Sequence, residues 1–132
     1  MTAFQIVTVY VALSLFLNPV LMMRIGLHRQ KKKISLGDGG DADMLSRIRA
    51  HGNFSEVAPL ALIGLLALAS MDGSPIMAHI FGATYFIGRI LHFLGMRGTF
   101  GQGRLIGTLM TVFTFLGLGL YLLYLVFVHG PV

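Results

Sequence analysis

The sequence predicts an all-α integral membrane protein, a bundle of four spanning helices, and three observations carry that prediction. The 132-residue chain is 55% hydrophobic and only 11% charged, with a mean hydropathy of +0.80. A soluble domain this small must cover its surface with polar groups, and this chain has too few. Apolar stretches recur at lengths suited to a hydrocarbon layer of about 30 Å. Lys and Arg gather in the connections after the first and third stretches, the pattern of a chain oriented by its positive loops. The length permits one membrane domain, residues 1–132, with spans at about 3–23, 44–71, 75–96 and 104–128.

The first span, Ala3 to Met23, has no basic segment before it and no small-residue cleavage site after it. It is therefore expected to stay in the mature protein and not to act as a removed signal. Asn18-Pro19 near its basic end predicts a local kink, because proline removes a backbone donor. That structural role competes with a ligand role for Asn18. Arg24, His28, Arg29, Lys31, Lys32 and Lys33 follow directly. Basic residues flanking a span set topology and attract anionic headgroups of the bilayer. No nucleic-acid partner is expected, since clustered charge needs a supporting fold before it means recognition. Gly37-Asp38-Gly39-Gly40, with Asp41 and Asp43, predicts a turn. The aspartates lack the bidentate glutamate that a calcium loop requires, and no metal is expected.

The second helix is expected to start at Asp43 as its N-cap. Its apolar part, Val57 to Met71, is short for a span. The helix must therefore carry Arg49, Asn53 and Glu56 to the membrane boundary. Met71-Asp72-Gly73-Ser74-Pro75 predicts a tight turn, with proline suited to the first turn of the third helix. That helix holds His79, Arg89 and His92; Arg97 to Gly103 reads as a flexible connection, and the fourth span carries no charge after Arg104. Positive loops inside then put connections one and three in the cytoplasm and both termini outside.

Arg49, Asn53 and Glu56 fall at i, i+4 and i+7 and form one stripe, with His51 roughly opposite. Tyr85, Arg89, His92 and Met96 repeat the arrangement on the third helix. Ionisable groups within a membrane are costly and face a cavity or a partner. They predict either a binding site or a set of ties between helices, the latter including an Arg89–Glu56 pair. His92 and His79 are also readable as packing residues. Arg104 reads either as an interfacial anchor or as a group that stabilises an anion or thiolate. Ala78/Gly82, Gly88, Gly95, Gly107, Gly117 and Gly119 are expected to allow close helix packing. The sequon Asn53-Phe54-Ser55 lies at the wrong membrane face for glycosylation. The chain has no cysteine, so any thiol chemistry must use a thiol brought by the substrate.

Arg49-Ala50-His51-Gly52-Asn53-Phe54-Ser55-Glu56-Val57-Ala58-Pro59 resembles the second-helix signature of the MAPEG family, the membrane-associated proteins in eicosanoid and glutathione metabolism. Gly88-Arg89-Ile90-Leu91-His92 resembles the third-helix signature, and Gly37-Asp38-Gly39-Gly40 is similar to the small bacterial branch. The resemblance covers essentially the whole chain. It implies a homotrimer in the bacterial inner membrane, with glutathione as co-substrate bound between subunits and open to the cytoplasm. It further implies a glutathione S-transferase or glutathione-dependent peroxidase acting on a lipophilic electrophile. Carried over by position, Arg49, Asn53 and Glu56 hold the tripeptide's charged ends, and Arg89 and His92 line the same site. Arg24 and Arg29 contribute from the first helix, and Arg104 sits near the thiol as the catalytic residue. Two carboxylates and one ammonium on glutathione complement several arginines and one glutamate.

The sequence departs from the family at three points. Val57 and Met96 stand where relatives often have tyrosines, and Gly52 replaces a larger, often basic residue. Tyr85, one turn away, is the remaining candidate phenol. These departures point to a second reading, a glutathione-binding or structural trimer without efficient turnover. A third, a proton-coupled exporter using Glu56, is disfavoured because the charges cluster near one membrane face and not at mid-depth.

Overall fold

Backbone amides and carbonyls in lipid have no water to bond, so a spanning segment must satisfy them internally, as a helix does. The computed structural model describes residues 1–129 and folds them into four helices. These are α1 (Ala3–Lys32), α2 (Ala42–Ser70), α3 (Pro75–Arg97) and α4 (Gly103–His129). Each contains a stretch long and apolar enough to cross a membrane. The protein is an integral membrane four-helix bundle.

α2 and α3 occupy the middle. α1 packs on both, α4 packs most extensively on α3 and also touches α2, while α1 and α4 do not meet among the described residues. Lipid tails are as apolar as leucine, so close van der Waals fit, more than expulsion of apolar surface from water, holds such helices together. The fit is visible at small residues. Gly82 lies under the Tyr10 ring, Gly117 against Phe81, and Gly88 against Met110 and the Gly107 carbonyl. Gly119 was expected to join them but has nothing within 4 Å of a Cβ position; it lies on the exposed side of α4. Buried Ile6, Val7, Leu65, Leu68, Phe81 and Leu118 fill the half nearer the termini. Leu17, Leu21, Phe54, Ala58, Ala61 and Tyr85 fill the half nearer the basic loops.

Three local outcomes differ from the sequence reading. The basic stretch after the first span is not a loop: α1 continues through it to Lys32. Arg, Gln, Lys and Leu are good helix formers, and Arg29, Lys31 and Lys32 in the last turn suit the negative end of the helix dipole. Lys33 closes the helix in the left-handed region, its amide donating to Arg29 O and Gln30 O. At about 1.5 Å per residue, the 30 residues of α1 run about 45 Å, so its basic end projects beyond the hydrocarbon layer.

The second difference is the cap of α2, which is Asp41 and not Asp43. Asp41 has the extended backbone that a cap needs, and its carboxylate accepts from the Met44 amide at 2.8 Å. It also meets Lys32 Nζ at 3.1 Å and His28 Nε2 at 3.2 Å. These donors, the Met44 amide foremost, hold its carboxyl well below the usual carboxylate range. Asp43 falls inside the first turn and pairs with Arg47 at 3.0 Å. The third is the α3–α4 connection, a bonded turn and not a free one. Gly98 adopts φ 83°, a conformation natural only to glycine. The Thr99 amide donates to Leu94 O at 3.1 Å, and the Gly103 amide to Phe100 O at 2.9 Å. The α2–α3 turn follows expectation: Ser74 accepts from the Ile76 amide, and Pro75 occupies the first turn of α3.

Candidate functional site

At the basic boundary the ends of α2, α3 and α4 enclose a cavity of about 410 Å³. Its walls include Leu45, Ser46 and Arg49 of α2, Gly95 and Met96 of α3, and Arg104 at the start of α4. Two arginines face it and, among the described residues, no acid does. Ser46 and Arg49 share a face of α2 because residues three apart are neighbours. Ser46 Oγ donates to the Met96 carbonyl at 2.5 Å, which pins α2 to the last turn of α3. Arg104 is set by backbone packing. A Cβ on Gly95 would lie 2.7 Å from Gly103 C and 2.9 Å from Arg104 Cα, where ordinary contact begins at 3.4 Å. Only a residue without a side chain lets α4 begin so close to α3.

One helical turn deeper lies a buried polar layer centred on Arg89, which is 3% exposed. Its Nη1 donates to Asn53 Oδ1 of α2 at 2.6 Å. Its Nη2 donates to the Gly107 carbonyl of α4 at 3.1 Å and to Thr111 Oγ1. Thr111 Oγ1 in turn donates to the Gly107 carbonyl at 2.8 Å. Nε has no partner. One guanidinium thus ties three helices, as its planar fork of donors allows.

The expected Arg89–Glu56 pair is not formed. Asn53, one turn before Glu56, meets the guanidinium instead, and Glu56 is exposed on α2 with no hydrogen-bond or ion-pair partner among the described residues. His92, one turn from Arg89, is buried in the α3–α4 seam. A Cβ on Gly107 would lie 2.6 Å from His92 N.

The stripe Arg49–Asn53–Glu56 is therefore divided. Arg49 faces the cavity, Asn53 serves Arg89, and Glu56 is turned out of the chain. Arg89 and His92 lie together behind the cavity wall. Three other residues singled out by sequence lie elsewhere. The Arg24 guanidinium sits 4.7 Å from the Phe93 ring centroid. Arg29 Nη1 donates to the Gly37 carbonyl at 2.9 Å. Tyr85 is fully buried, its hydroxyl 3.1 Å from Ser14 Oγ of α1. Asn18 Oδ1 lies 3.1 Å from His51 Nε2, which links α1 to α2. Ser46 and Thr111 were missed. Their signal was spacing: Ser46 is three residues before Arg49, and Thr111 is seven after Arg104, on the same helix face.

Spanning helices, a cavity with two arginines at one membrane boundary and a buried guanidinium layer beneath it define a membrane-embedded polar site. The chain belongs to the MAPEG family, which residues 7–124 match. Among curated relatives it is similar to the inner membrane protein YecN of Escherichia coli strain K12 and to the protein of the same name in Escherichia coli O6:H1. Each is 32% identical over 88 residues, 64% of this chain and 67% of the relative. No solved structure matches.

Proposed function

We propose that this protein is a membrane-bound glutathione S-transferase or glutathione-dependent peroxidase of the bacterial inner membrane, with its cavity open to the cytoplasm and both termini outside. The observation that carries the reading is the convergence of Arg49 and Arg104 on one cavity without a competing acid. Guanidinium groups bind carboxylates through paired donors, and a cation beside a thiol lowers its pKa. Arg49 holds a carboxylate of the tripeptide and Arg104 stabilises its thiolate. The buried layer of Arg89, Asn53 and His92 adds positive field from behind and keeps the three helix ends in register.

In the transferase reaction the thiol proton goes to solvent and sulfur bonds to an electrophilic carbon, whose leaving group departs with its electron pair. With a lipid hydroperoxide, two glutathione thiols supply the two electrons. They leave as a disulfide while the hydroperoxide becomes an alcohol and water.

A homotrimer completes this reading. Glu56 is exposed on a spanning helix and has no partner among the described residues, and a bare carboxylate facing lipid costs about 3 kcal/mol. A neighbouring subunit, with glutathione's ammonium lodged between the two chains, gives it a partner. Wild-type protein in detergent is expected to bind glutathione in a calorimetric titration and to conjugate an aryl halide, with both properties reduced in Arg49→Ala and Arg104→Ala. Absence of glutathione binding by the wild type would end this assignment.

A second reading, glutathione binding without efficient turnover, is favoured by the missing phenol. Val57 and Met96 are not tyrosines, and Tyr85 is sealed against Ser14 away from the cavity. Glutathione binding of the same strength with no conjugation or peroxide reduction selects it.

A further inference from the structure

On the α1 side of the bundle, Arg24, Arg47 and Arg97 of three helices stand near one another at the level where the apolar part of α1 ends. Arg24 is the first charged residue of α1, and its guanidinium lies on the Phe93 ring of α3. Arg97, one turn beyond Phe93, shares that face of α3. Arg47 of α2 donates from Nη1 to the Arg24 carbonyl at 3.3 Å. Arg47 and Arg97 both repel the Arg24 charge and Asp43 attracts it. Among the described residues, the acid that acts on Arg24 is Asp43, and Arg47 already engages it through Nε at 3.1 Å and Nη2 at 3.0 Å. His28 also stands 3.6 Å from it. Three fixed positive charges and one carboxylate leave the group electrically short of an anion.

This cluster is separate from the cavity. Arg47 and Arg49 are two residues apart on α2 and so lie on nearly opposite faces, divided by the Ser46–Met96 bond. Arg24 contacts α2 and α3 and does not line the cavity. Its position at the end of the apolar run puts the cluster at headgroup depth.

We propose that Arg24, Arg47 and Arg97 form a binding site for a phosphate group, distinct from the cavity of Arg49 and Arg104. Arginine's planar fork matches phosphate oxygens, and a phosphate there offsets the excess charge without displacing the Arg47–Asp43 pair. The depth favours the phosphodiester of an anionic phospholipid over phosphate from solution. The assignment does not depend on glutathione chemistry.

The test is native mass spectrometry of the full chain in detergent with phosphatidylglycerol, phosphatidylcholine or inorganic phosphate. Phosphatidylglycerol is expected to be retained over phosphatidylcholine, with affinity falling about fivefold for each arginine removed in Arg24→Gln and Arg97→Gln. Lys31→Gln, at an exposed position outside the cluster, is expected to change it by less than about twofold. Arg97 is exposed, so Arg97→Gln with an unchanged melting curve keeps the test valid should Arg24→Gln fold poorly. Inorganic phosphate that displaces the lipid, and itself depends on the same arginines, supports the site with solution phosphate as its source. Equal retention of the two lipids without any effect of phosphate overturns the proposal, as does equal loss on Lys31→Gln. Displacement of the lipid by glutathione would return Arg24 to the cavity and likewise overturn it.

Discussion

Replacing Gly95 by alanine tests the placement of Arg104 most directly. The added Cβ would meet Gly103 C at 2.7 Å, Arg104 Cα at 2.9 Å and the Arg104 amide nitrogen closer still, against ordinary contact at 3.4 Å or more. All three are backbone atoms, so no side-chain rotation relieves the clash. The start of α4 must retreat from α3, and the bonded turn at Gly98–Gly103 confines that retreat to the first turn of α4, where Arg104 sits. Overpacking of this kind costs about 1–3 kcal/mol. A shift of about 1 Å in a positioned group can lower turnover about 10²-fold. The assays are a thermal melt in detergent and, on the proposed function, glutathione conjugation by the same sample. Gly101→Ala is the control, because nothing lies within 4 Å of its Cβ position. If Gly95→Ala melts and turns over like the wild type, the close approach of α3 and α4 does not place Arg104, and the geometric account of the cavity fails.

Arg89→Lys is expected to destabilise the bundle by about 2 kcal/mol, since one ammonium cannot reach Asn53 of α2 and Thr111 of α4 together; chemical unfolding in detergent measures it. Asp41 bears on acid sensitivity at the start of α2. Its carboxyl titrates below its ordinary range in the folded chain, so its contribution is complete above the unfolded pKa of about 3.9 and fades as pH falls below that. Protection of the Met44 and Leu45 amides from hydrogen exchange should drop below about pH 4, and Asp41→Asn should start lower and stay level across that range. Asn18→Leu removes the partner of His51 between α1 and α2 and is expected to cost about 0.6 kcal/mol, read from the same unfolding curves.

The spans and their order were legible in the sequence because the bilayer demands long apolar helices whatever their tertiary partners. Local chemistry also revealed Pro75 as a helix start, while Ser74 as its cap was not singled out. The choice between Asp41 and Asp43 as the cap of α2 turned on Lys32 and His28, which reach Asp41 only after α1 has continued past its apolar run. Arg89 was expected to need a counter-charge, and neutral acceptors meet it instead. Spacing alone could not tell Asn53 from Glu56, because which of two residues one turn apart meets a third helix depends on its rotation and depth. The acceptors supplied by α4, a backbone carbonyl at Gly107 and a threonine hydroxyl, left no signal beyond an ordinary helix face. Tyr85 was placed on the face of α3 that Arg89 and His92 share, yet it sits ten residues before Gly95 of the cavity wall, where its hydroxyl meets Ser14 of α1.

The unequal reach of the helices has a geometric outcome for traffic. α1 and α2 carry their backbone hydrogen bonding out past the oily layer, while α3 and α4 turn back at Gly98–Gly103, beside Arg104. The recess beside that hairpin is lined by Ser46 and Arg49 of α2 and by Arg104 of α4, and α4 exposes the apolar Leu105 and Leu109 just beyond Arg104. On the proposed function, the charged tripeptide would descend from water and the oily electrophile would arrive sideways through the bilayer, so neither would have to cross the medium that excludes it.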